Sequence, residues 1–244
     1  MLEEFEKYIS TYDLDQGYMK LKHDHSVRVM KLMEKYALEL GFSEDDVELA
    51  KLIGLLHDIG RFEQYKEFGS DVDHETVDHA DYSVVQLFDK NEIKLFTDRE
   101  DWYPIIEFAI KNHNKRVMAD CNDERVLKFA KLIRDIDKLD IIYLLGYLKL
   151  NMYKDAPYDI TKEVSDYVFK HETVDVTKCC NDNDWTTAQF AFVFDVNNDV
   201  ILKEYKKNLD YYYERINKER FKEIYEEIIR YIDGRIDIYE RNRN

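Results

Sequence analysis

Apolar residues recur at three- and four-residue spacing almost throughout the chain, which predicts α-helices rather than strands. A first helix is expected over about residues 2–10. A second runs from Lys22 to Leu40, with Val29, Leu32 and Tyr36 on one face and Gly41 as its stop. Ser43-Glu-Asp-Asp46 reads as an N-cap with an acidic residue at N3. The helix it opens carries Val47, Ala50, Leu52, Ile53, Leu55 and Leu56, an apolar density that implies a central position. It is expected to end at His57-Asp58, with Gly60 as C-cap. Residues 66–77 are polar and read as a loop. Short helices follow from His79 to Phe88 and from Tyr103 to Asn112, the second with Pro104 in its first turn.

The longest periodic run is Asp123–Lys149, where Val126, Ala130, Ile133, Asp137 and Leu144 share a stripe. Residues 155–183 read as loop with short helices, and a compact apolar helix covers about 186–195. From Ile201 the tail carries Tyr205, Leu209, Tyr212 and Ile216, then Phe221, Ile224, Ile228 and Tyr231, again at helical spacing. No repeat or low-complexity linker interrupts the 244 residues. The expectation is a single all-α domain over 1–244, with a core at about 20–150 and a C-terminal helical elaboration over about 151–244. Two prolines and seven glycines in this length agree with long helices and short loops.

Composition narrows the partners. Lys and Arg number 36 against 52 Asp and Glu, a net charge of −16, which argues against nucleic-acid polymers. A small anionic substrate remains compatible, because bound cations reverse a local field. The cysteines, Cys121, Cys179 and Cys180, form neither a disulfide framework nor a CxxC metal site. Free thiols, no signal-peptide pattern at the N-terminus and no run near the roughly 20 apolar residues of a membrane span predict a cytoplasmic, non-membrane protein.

Polar residues break the apolar pattern at a few places that suit metal ligation. His57-Asp58 ends the most apolar helix, where an unpaired donor or charge would be costly to bury. Asp137 interrupts the stripe of 126, 130, 133 and 144. His113 closes the stripe of Ile106, Ala109 and Ile110, His25 lies one turn before Val29, and His79 begins its helix. Singly, each could be a capping or paired core residue. Together, in this order, they point to a metal site. His23, His74 and His171 read as surface residues.

The segments His25-Ser-Val-Arg-Val, Leu-Leu-His57-Asp58-Ile-Gly-Arg and Asp135-Ile-Asp137-Lys-Leu-Asp resemble the signature blocks of the HD phosphohydrolase superfamily. Asp78-His79-Ala-Asp-Tyr-Ser-Val-Val-Gln-Leu and Ile110-Lys-Asn-His113 resemble the extra blocks of its dinuclear members. The resemblance covers about residues 20–140 and implies an HD-type helical bundle. Asn114 and Arg61 depart from the cyclic-di-nucleotide phosphodiesterases of the superfamily, as does the absence of a following Gly-Tyr-Pro.

The resemblance further implies two divalent transition-metal ions. One would take His25, His57, Asp58 and Asp137; the other would take His79, His113 and the second oxygen of Asp58. Imidazole-rich sites favour Fe, Mn, Co, Ni or Zn over Mg. A water between two such ions becomes a hydroxide nucleophile near neutral pH and attacks phosphorus in line. The substrate expected is a small, nucleotide-like phosphomonoester or phosphodiester. Lys138, Lys115, Arg116 and Arg61 are the candidate cations for its oxygens, and Asp140 could orient a ligand His.

Two other functions use the same residues. Di-iron oxygenases of the superfamily share this ligand set, and a non-catalytic sensor or binding module could keep the fold. The tyrosines of the tail, Tyr211, Tyr212, Tyr213, Tyr225 and Tyr231, offer either a homodimer face or ordinary core packing.

Overall fold

The computed structural model describes residues 1–15, 17–147 and 157–243. It is all-α: among these residues there is no strand, and no helix is long and apolar enough to cross a membrane. The chain divides into two compact units, Met1–Ile136 and Asp137–Asn244.

The first unit opens with α1 (Leu2–Ile9) and α2 (Gly17–Glu39). Gly41, at φ 72°, turns the chain after α2. The Ser43 side chain then accepts from the Asp46 amide to cap α3 (Glu44–Leu56). Leu49, Leu52, Ile53, Leu55 and Leu56 of α3 are fully buried, so the apolar segment is central as its composition implies. α2 lies against it at Gly54, where a Cβ would meet the Met33 side chain at 2.8 Å and the Met30 Cα at 3.1 Å.

Two expectations change just beyond α3. Gly60 is not a C-cap; it begins α4 (Gly60–Phe68), which extends into the stretch read as loop. Its Cβ-free backbone is needed for approach instead, because a Cβ there would lie 2.5 Å from the Ser83 amide nitrogen. The left-handed cap comes later, at Gly69 (φ 66°).

A 3-10 turn at Asp73–Glu75 leads to α5 (His79–Val84), which runs into a π-helical turn at Val85–Asp89. After further 3-10 turns, α6 (Tyr103–Asn112) has Pro104 in its first turn, as expected. α7 (Glu124–Tyr147) begins in the first unit, where Phe129, Ala130, Ile133 and Ile136 are fully buried. Arg134 of α7 donates to the Asn112 carbonyl, satisfying one of the free carbonyls at the end of α6. The expected end of α7 near Lys149 lies outside the described residues.

The second unit takes the rest of α7, then α8 (Lys162–Phe169), α9 (Asp182–Phe190), α10 (Leu202–Tyr213) and α11 (Lys218–Arg243). The last turns of α7 come close to α10 at Gly146, where a Cβ would meet the Asn208 carbonyl at 2.9 Å. Phe190, Tyr205, Leu209, Phe221 and Ile228 form the core of this unit. Most of the tail tyrosines have partners within it. Tyr212 donates to Gln189 at 2.6 Å, Tyr213 stacks on Tyr225 at 3.8 Å, and Tyr231 packs on Phe194.

Candidate metal centre

Three of the candidate histidines sit at helix ends, where backbone groups are unpaired. His57 caps the C-terminus of α3, His113 caps that of α6, and His79 is the first residue of α5, itself capped by Asp78. The two C-terminal histidines use the same device. Nδ1–H of His57 donates to the Gly54 carbonyl at 2.8 Å, and Nδ1–H of His113 donates to the Ile110 carbonyl at 2.6 Å. A carbonyl can only accept, so each bond sets the tautomer and leaves a lone pair on Nε2. His79 reaches the same state through Asp73, which accepts its Nδ1–H at 2.5 Å. Burial, aided by the Arg61 charge, lowers the His79 pKa to about 4, so the ring is neutral at pH 7.

These lone pairs converge on Asp58. His25 Nε2 and His57 Nε2 lie 3.6 and 3.8 Å from Asp58 Oδ2. His79 Nε2 and His113 Nε2 lie 3.5 and 3.6 Å from Oδ1. Each carboxylate oxygen therefore faces its own pair of imidazoles. The ligating atoms of His25, His57 and Asp58 all lie within 4.8 Å of one another, as do those of Asp58, His79 and His113. All five residues are buried.

Two features fit the donor set to cations. The Nε2 atoms of His79 and His113 are 3.1 Å apart, and with Nδ1 protonated on each ring this places two lone pairs face to face. Asp58 Oδ1 is buried and makes no hydrogen bond among the described residues. Both are unfavourable unless a positive charge lies between them. Burial alone would raise the Asp58 pKa, but the charges around it, that of Lys22 foremost, outweigh it and hold the carboxyl well below its usual range. Asp58 is thus an anion, as a ligand must be.

Asp137 is buried on α7 and is the first residue of the second unit. Arg61 follows Asp58 by one turn, with its Nε 3.9 Å from Asp58 Oδ1. Its Nη1 donates to Gln64, the Asp71 carbonyl and Asp73. Lys115 pairs with Asp78 and Asp81 at 2.7 and 3.0 Å. Lys138 pairs with Asp195 at 2.7 Å. His23 stands apart from the cluster, between Glu6 and Asp24.

Periodicity does not reveal three residues of this region. Lys22 donates to Asp58 Oδ2 at 2.7 Å, and its only sequence signal is its position one turn before His25. Asp73 lies in a stretch without helical spacing. Gln64, fully buried, donates to Asp73, Thr76 and the Val77 carbonyl and so fixes the segment that holds Asp73. Burial would raise the Asp73 pKa, but the hydrogen bond from His79 and the Arg61 charge lower it decisively.

Residues 23–142 match the family model described as the HD domain. No curated protein and no solved structure matches the chain.

Proposed function

We propose that this chain, which carries an HD domain over residues 23–142, is a metal-dependent phosphohydrolase acting on a small, nucleotide-like phosphoester. HD-domain proteins are generally metal-dependent phosphohydrolases. The observation that carries the reading is Asp58, whose two oxygens each face a separate pair of imidazole Nε2 atoms. A carboxylate with two such faces is suited to bridge two ions. His25, His57 and Asp58 would hold one ion, with Asp137 as the further ligand that the family resemblance assigns. His79, His113 and Asp58 would hold the second. Divalent transition metals bound there would supply Lewis acidity toward phosphoryl oxygens and lower the pKa of a coordinated water.

The chain's own residues have distinct tasks in this reaction. The carbonyls of Gly54 and Ile110, together with Asp73, keep His57, His113 and His79 in the ligating tautomer. Asp58 stays ionised and neutralises part of the charge at the centre. Arg61, Lys115 and Lys138 are proposed as the cations that meet the substrate's anionic oxygens. The carboxylates now paired with them compete for the same charges.

The test is phosphate or nucleotide release from a panel of phosphomonoesters and phosphodiesters by Mn-loaded protein, with and without oxygen. Hydrolysis under strict anaerobiosis, abolished in Asp58→Ala while the helical spectrum persists, is the expected result. Turnover confined to an iron-loaded form in the presence of oxygen would contradict it.

A further inference from the structure

A buried centre rich in ligands still needs donors where an anionic substrate enters, above all in a protein of net charge −16. Three donors, Tyr18, Lys22 and Arg61, border it. Tyr18, Lys22 and His25 are spaced four and three residues apart and so share one face of α2. Lys22 keeps 19 % of its side chain exposed and Arg61 13 %, against 3 % for Asp58 and 2 % for His25. The Tyr18 ring stacks on Tyr65 at 4.6 Å, and Tyr65 lies one turn after Arg61 on α4. That stack places the Tyr18 hydroxyl in the electrostatic reach of Arg61 and Asp58.

Two of these side chains each present one donor atom without an acceptor. The Tyr18 hydroxyl and Arg61 Nε are both buried with no hydrogen-bond partner among the described residues, and Asp58 Oδ1, beside Arg61 Nε, has none either. Unmade hydrogen bonds of this kind are uncommon in a folded interior and mark the place of a missing acceptor. Lys22 has a partner, but that partner is a carboxylate oxygen of the proposed metal bridge. Its ammonium, on a flexible four-carbon stem, can turn to a phosphoryl oxygen without movement of α2.

We propose that Tyr18, Lys22 and Arg61 form a phosphoryl-binding rim at this centre, each donating to a non-bridging oxygen of the substrate. The inference rests on the phosphohydrolase reading, which already gives Arg61 this task, and adds Tyr18 and Lys22 as further donors to the group to be cleaved. Tyr18 and Lys22 take part through hydrogen bonds to an anion, so both act on substrate affinity.

The probe is inorganic phosphate, titrated calorimetrically into Mn-loaded protein whose metal content is measured separately. Wild type should bind phosphate. Lys22→Met and Tyr18→Phe should each weaken binding about ten-fold or more, as expected for loss of a hydrogen bond to a charged group. Both variants should keep their helical spectrum and at least the wild-type metal content, and should raise KM more than they lower kcat on any ester that is turned over. Lys66→Met, on the solvent side of α4, should leave phosphate affinity unchanged. Tyr18→Phe retains the ring and its stack on Tyr65, so a folding defect cannot stand in for a lost donor. Unchanged affinity in both variants, no phosphate binding by wild type, or loss of metal from Lys22→Met would overturn the rim. Failure of the phosphohydrolase reading would appear elsewhere, as wild-type protein that holds no metal or hydrolyses no phosphoester.

Discussion

The orientation of His79 depends on a partner six residues earlier in the chain. Asp73 accepts its Nδ1–H, and Gln64 and Arg61 hold Asp73 in turn. Removing that acceptor frees the imidazole to rotate or change tautomer, while His25 and His57 keep their positions. Asp73→Ala is therefore expected to weaken one bound ion about 10- to 100-fold and leave the other close to wild type. Competition with a chromophoric chelator would resolve the two affinities, and equal weakening of both would refute the assignment. The candidate ligands that the fold gathers around Asp58 stand out in the sequence because they break an apolar pattern, as His57-Asp58 does after Leu55-Leu56. Asp73 and Lys22 break no pattern. One lies in irregular backbone and the other on the partly exposed face of α2, so only the folded geometry brings them to the site.

Helices α4 and α5 meet where Gly60 touches the backbone of Ser83, and this contact sets the spacing between Asp58 and His79. Ser83 Oγ fastens the junction, accepting from the Gly60 amide at 2.9 Å and donating to the His79 carbonyl at 2.9 Å. Gly60→Ala places a methyl group against backbone that cannot yield as a side-chain tip would. It is expected to cost about 1–3 kcal/mol in urea unfolding, as overpacking does. It should also weaken metal binding on the His79 and His113 side. Wild-type stability together with wild-type metal affinity would show that the contact does not position the site. Helix positions were largely legible, α6 to the residue, because Pro104 and the apolar spacing mark its extent. A glycine after a helix signals a cap in sequence, whereas the close approach that Gly60 serves depends on Ser83 of another helix, which no local pattern shows.

For the whole molecule, the all-α class follows from helical spacing throughout and few breakers, and the match of residues 23–142 to the HD-domain family agrees with the ordered histidines and aspartates. The leaving group of the substrate was not legible. The candidate ligands carry no information about the group attached to phosphorus in the proposed substrate, and the rim proposed to contact it is assembled from separate helices. The bridging role proposed for Asp58 requires that the chain hold two ions. Anaerobically purified protein, saturated with Mn and freed of excess metal, should contain two ions per chain by elemental analysis, falling toward one in His79→Ala and in His113→Ala. A wild-type value of one ion, unchanged in both variants, would contradict the bridging role of Asp58 and return the two histidines to a structural part.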